Sequence, residues 1–229
     1  MKPAFRVPNL WLYLPLAIAC GFFLSVFALQ HSNWYRQRLY RQLLSGNPEQ
    51  RLKAASTLAH FGAQDQLLAG LKSEVPAVRD LARNALEYVW FRAAGRDAHE
   101  QVETAFQAEE KEDYQTSLAL LDRVVEKYPK FAEGWNRRAS VYWQIGQYDK
   151  SIADCQRALT LNPNHYGAWQ GLGVCRVQLG DVTEACRCLR SALRIAPYDD
   201  ATRRCLQKCE ELLRVLPHGT RPRSSGDLI

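Results

Sequence analysis

Two hydrophobic patterns run along this chain. Residues 10–29 are apolar, 20 positions without a charge, interrupted only by Pro15, Gly21 and Ser25. Later residues mix apolar and polar positions at helical spacing, and from residue 98 the mixture itself repeats. Pro129, Pro163 and Pro197 stand 34 residues apart, and Trp135 and Trp169, Gly146 and Gly180, and Ala158 and Ala192 keep the same step. A period of about 34 residues predicts stacked helix pairs, here over 98–131, 132–165 and 166–199. Small residues (Ala105, Ala139, Gly173) fall where two backbones approach most closely, and large ones (Trp135, Trp169, Leu121, Leu189) fill the gaps. Gly146 and Gly180 close the first helix of their pairs, because glycine reaches positive φ without strain. The prolines close the second, because proline disfavours helical geometry in the residue before it.

A shorter step precedes the array. Pro48-x2-Arg51-x2-Ala54-x3-Leu58 recurs 28 residues later as Pro76-x2-Arg79-x2-Ala82-x3-Leu86, with residues 64–72 forming a helix between them. Ala85, Leu86, Val89 and Trp90 continue the apolar stripe. The unit at 47–96 is therefore expected to dock on the first pair and extend it as one solenoid. Residues 32–46 hold an amphipathic helix with Tyr35, Leu39 and Leu43 on one stripe. It reads either as a juxtamembrane segment with its arginines toward lipid headgroups or as a charged linker helix. Residues 200–216 predict a capping helix for the last apolar face. Residues 217–229 have little to bury and are expected to be disordered.

Trp169-x2-Leu172-Gly173, Ala185-x3-Leu189, Ala192 and Pro197 resemble the tetratricopeptide repeat. The copy before it has Trp135-x2-Arg138-Ala139-x2-Tyr142, Ser151-x3-Cys155, Ala158 and Pro163; the first has Gln101 in place of the Trp but keeps Ala105, Ala108, Leu121 and Pro129. The 28-residue unit, with Val78-Arg79 after its proline, resembles the short HEAT-type repeat, found in scaffolds and in bilin lyase subunits. Together these resemblances imply an all-α fold: a right-handed α-solenoid of a HEAT-like pair, three tetratricopeptide units and a capping helix. They also imply a concave groove, lined by the first helix of each unit, that binds peptides or partner helices.

By periodicity the groove residues are His99, Val102, Phe106 and Glu109, then Glu133, Asn136, Ser140 and Trp143, then Gly167, Gln170, Val174 and Val177. Phe106, Trp143, Val174 and Val177 are candidate apolar anchors, with internal packing the competing reading for Phe106 and Trp143. Some tetratricopeptide domains clamp a chaperone's C-terminal carboxylate with Lys, Asn and Arg. Val102, Phe106, Gly167 and Gly171 stand at such positions here, so the resemblance does not carry that function across.

Twenty apolar residues match the hydrocarbon thickness of a bilayer, and Trp11, Tyr13, Trp34 and Tyr35 flank them as interface residues do. Residues 10–29 read as one transmembrane helix. The basic residues (Lys2 and Arg6 before it; Arg36, Arg38 and Arg41 after) weight the array slightly toward the cytoplasm. The alternative is a secretory signal cleaved after Ala28, which releases a periplasmic or secreted adaptor.

The net charge of +6 is uneven. Asp97, Glu100, Glu103, Glu109, Glu110, Glu112 and Asp113 face only Lys111 between residues 97 and 113. No basic motif interleaved with aromatics points to nucleic acid. Of the seven cysteines, Cys186 and Cys188 diverge on a helix, while Cys205 and Cys209 share a face. A metal or a disulfide is one reading; small apolar fillers in a reducing compartment is the other. Five scattered histidines, with no phosphate loop, HExxH or GxSxG, give no enzyme signature, cofactor or small-molecule substrate. A chromophore-handling subunit rests on the HEAT-type resemblance alone.

Overall fold

The computed structural model describes residues 32–215 as helices joined by short turns. The predicted span at 10–29 and the tail at 217–229 lie outside the described residues. Among those described, no helix is long and apolar enough to cross a membrane.

The N-terminal unit consists of α1 (Asn33–Ser45), α2 (Pro48–His60), α3 (Gln64–Gly70) and α4 (Pro76–Phe91). Proline opens α2 and α4, where its missing N–H is no loss. Asn47 and Gln50 cap α2 reciprocally: the Gln50 amide donates to Asn47 Oδ1 at 2.9 Å, and the Asn47 amide to Gln50 Oε1 at 3.0 Å. Asn47→Ala is expected to cost about 1 kcal/mol, seen as a lower urea midpoint at unchanged slope.

Leu39 and Leu43 of α1 are buried with Leu58, Leu67, Leu71 and Leu86 in this unit's core. The expectation of an amphipathic helix at 32–46 thus gains a packing partner for its apolar stripe. The apolar stripe of α1 is consumed in packing, and only the outer side with Trp34, Arg38 and Arg41 is exposed.

The array follows as α5 (Arg96–Glu110), α6 (Tyr114–Lys127), α7 (Ala132–Gln144), α8 (Tyr148–Leu161), α9 (Tyr166–Gln178), α10 (Val182–Ile195) and α11 (Asp200–Val215). Gly146 and Gly180 take φ of 75° and 79° after α7 and α9. At Gly173 a Cβ would stand 2.8 Å from Leu189 Cγ, so α9 and α10 meet there with no room for a side chain. Leu121 and Leu189 are fully buried. Trp135 and Trp169 are only partly buried, and their indole N–H groups donate to the carbonyls of Pro129 (3.1 Å) and Pro163 (2.9 Å). Each Trp thus ties its helix to the turn that ends the preceding pair, which explains why Trp and Pro share one period. α11 covers the last apolar face, with Cys209, Leu206 and Leu213 against Val182, Ala185 and Leu189.

The N-terminal unit does not simply add a layer to the first pair. α4 lies along the edge where the turns between pairs emerge. Arg79 sits over the Tyr198 ring at 4.3 Å, Trp90 stacks on His165 at 4.5 Å, and Phe91 meets the edge of His99 at 5.9 Å. Ala196 is buried in the N-terminal core, with Tyr166 and Ile195 packed against it. The expected docking on the first pair is made by Phe91 and Ala94, which pack against its core, while Val78, Ala82 and Leu86 of α4 are buried inside their own unit. Its C-terminal aromatics remain to meet the turns.

Candidate functional site

A cleft of about 370 Å³ opens between α4, α7 and α9. Glu87 and Trp90 form the α4 wall. Asn136, Ser140 and Trp143 line the α7 side, Gly167, Gln170, Gly171 and Val174 the α9 side, and Cys155 of α8 reaches the floor. Gly171 keeps the cleft deep, since a Cβ there would stand 3.2 Å from Cys155 Sγ.

One end is closed by a buried polar network. Arg137 Nε donates to Glu133 Oε1 at 2.6 Å, and His165 Nε2 lies 2.8 Å from Glu133 Oε2. His165 Nδ1 accepts the Ala168 amide at 3.2 Å, capping α9. An accepting Nδ1 places the ring proton on Nε2, so a neutral imidazole donates to Glu133. Burial pushes the Glu133 carboxyl up. The His165 hydrogen bond and the Arg137 charge outweigh it, holding the group below the usual carboxylate range. Trp90 stacks on this histidine and donates from Nε1 to Gln64 at 3.0 Å. Tyr166 Oη donates to Glu87 at 3.0 Å, and burial raises its phenol. The N-terminal unit is thus joined to the α8–α9 turn by Trp90 on His165 and by Tyr166 on Glu87.

The structure brings Glu133, Asn136, Ser140, Trp143, Gly167, Gln170 and Val174 to one cleft. Glu133 is 3% exposed and held in the network, so it shapes the wall without offering a free carboxylate. Val102 is corrected: it is 1% exposed, packed with Ala98, Ala105, Leu121 and Val141 between α5 and its neighbours. Val177 is half-buried against the α10–α11 core. His99 packs on Phe91, and Glu109 accepts a hydrogen bond from Gln144 Nε2. Phe106 and Trp143 remain 39% and 40% exposed. Internal packing therefore does not account for them.

Sequence reasoning missed Glu87, Trp90, Arg137, His165 and Tyr166. Trp90 was visible at the end of an apolar stripe, but its partner lies 75 positions away and no period links them. The described cysteines are free thiols, and burial pushes Cys155 up, keeping it neutral and unreactive. Among the described residues no three His, Cys, Asp or Glu side chains are placed to hold a metal.

Helix pairs stacked at a 34-residue period, with tryptophans tied to the intervening turns, define a tetratricopeptide-type solenoid. Residues 132–165 and 166–199 each match the tetratricopeptide repeat family model, and these two segments are tetratricopeptide repeats. A TPR repeat-containing protein of Rhizobium etli is 28% identical over 156 residues, 68% of this chain and 71% of that protein. Superkiller complex protein 3 of Mus musculus is 30% identical over 148 residues, 64% of this chain but only 9% of that much longer protein. Among solved structures, the Sgt2 TPR domain of Aspergillus fumigatus superposes with a TM-score of 0.52 at 20% identity, covering 58% of this chain and 89% of that one. The first TPR of Spaghetti (RPAP3), bound to the HSP90 peptide SRMEEVD, gives 0.50 at 20% identity, covering 51% and 93%. These superpositions establish the fold.

Proposed function

We propose that this chain is a non-enzymatic, protein-binding scaffold held at a membrane, where it helps to organise a membrane-associated complex. The observation that carries the reading is the cleft between α4, α7 and α9. It presents a half-exposed Trp143 beside Asn136, Ser140 and Gln170, whose side chains have no hydrogen-bond partner among the described residues. Apolar surface next to unsatisfied amide and hydroxyl groups suits a polypeptide segment, whose backbone needs donors and acceptors and whose side chains need a dry contact. The HEAT-like reading of the N-terminal unit fits the same role. Two such units locked edge to edge make a rigid platform.

Membrane attachment is inferred from residues 10–29, and the basic residues flanking them weight the array slightly toward the cytoplasm. Carbonate extraction should leave the chain in the pellet, and protease added to intact cells or vesicles should spare the array. Copurification from native membranes tests the groove. Trp143→Ala and Phe106→Ala are expected to remove the captured partner while leaving the circular-dichroism melt in place. A partner set unchanged in both variants would take the groove out of the account.

A further inference from the structure

We propose that the groove takes a cationic peptide segment, one in which lysine or arginine flanks a single large apolar residue. This rests on the groove reading above and adds the chemistry of the partner. On α5, His99, Glu103, Phe106 and Glu110 follow one another at steps of three and four residues, so they form one stripe beside the buried Val102. The His99 end of that stripe meets Phe91, whose ring also lies 4.5 Å under the Arg137 guanidinium of α7. Glu109, the neighbour of Glu110, accepts from Gln144, which follows Trp143. α5 therefore adjoins the α7 wall of the cleft, beside Trp143.

Glu103, Glu109 and Glu110 take part in no ion pair among the described residues. Arg137, the cation of the α7 wall, is already neutralised by Glu133 at 2.6 Å. The groove thus offers uncompensated negative charge next to two half-exposed rings. Cations gain both from opposite potential and from aromatic faces. An acidic segment such as the peptide carried by the RPAP3 domain would meet like charge here.

The test is fluorescence anisotropy of the full chain in non-ionic detergent with a short fluorescein-labelled lysine–leucine peptide and its glutamate–leucine counterpart. The lysine peptide is expected to bind, with affinity falling as salt rises, and the glutamate peptide is not. Glu103→Lys with Glu110→Lys, or Trp143→Ala alone, should each weaken the lysine peptide about tenfold. Where a reversal variant melts early, Glu103→Gln with Glu110→Gln replaces it. Trp143-dependent binding of the glutamate peptide would leave the groove reading standing and overturn the cationic one. Lysine-peptide binding that ignores both Trp143→Ala and the charge changes would overturn both. Binding seen only after truncation at Val215 would put the chain's own Arg221 and Arg223 in the groove, and binding suppressed by self-association a second copy. Either result would overturn a separate partner.

Discussion

Arg138→Met is expected to lower folding stability by about 3–5 kcal/mol. Arg138 projects from α7 into the seam between two helix pairs. Its Nε and Nη2 donate to both oxygens of Asp154 on α8 at 2.7 and 2.8 Å, and its Nη1 to Asp122 on α6 at 2.8 Å. The two ion pairs are not equal. Asp122 is 55% exposed, so that pair is worth at most about 1 kcal/mol. Asp154 is 6% exposed, and removing its partner leaves a charge in the interior with nothing to balance it. The cost thus comes mainly from Asp154 and only secondarily from lost attraction. Arg138→Met with Asp154→Leu should therefore recover most of what the single change loses, since an apolar pair of similar volume replaces a buried ion pair at little cost. Urea melts of the three proteins decide it. A single variant within about 1 kcal/mol of the parent would show that water reaches Asp154.

Much of this architecture was legible because the features that set it are local and periodic. Pro48 and Pro76 start helices, Gly146 and Gly180 end them, and Gly173 is small because Leu189 packs there. Each of these acts within its own pair or on the next, so a 34-residue period exposes it. The docking of the N-terminal unit was not legible. It depends on Trp90 with His165 and Arg79 with Tyr198, contacts across the chain that no repeat generates. The same limit applied to the site. Periodicity chose the helix face, and it placed Asn136, Ser140 and Trp143 on the cleft. It could not separate Val102, which the first pair buries, from Phe106 one turn further on, which it leaves half open. Nor could it show that Glu133 is held in a buried network, because one of its hydrogen bonds comes from a histidine 32 positions away.

Raising the pH above about 9 is expected to destabilise the fold steeply, through buried thiols, one of which, Cys155, lies at the floor of the cleft. Burial pushes Cys188 up to about 12, with the nearby Glu184 carboxylate adding to it. Burial likewise raises Cys155 and Cys209, whose thiol neighbours reinforce the shift. In the unfolded chain such groups ionise near 9.0. A folded pKa above the unfolded one means that the stabilisation is complete below about pH 9 and drains away as pH rises toward the folded value. Each thiol then removes about 1.4 kcal/mol per pH unit, and three together about 4. A domain of ordinary stability, about 5–15 kcal/mol, is exhausted within a few units of that slope. Tyr166, raised by burial and by Glu87, adds to the loss above its own unfolded range. Denaturant melts between about pH 7.5 and 10.5 should show the decline, and the chain with Cys155→Ala, Cys188→Ala and Cys209→Ala should show a flatter one despite its lower starting stability. An alkaline slope unchanged by the triple substitution would assign the loss to other groups and remove the thiols from the argument.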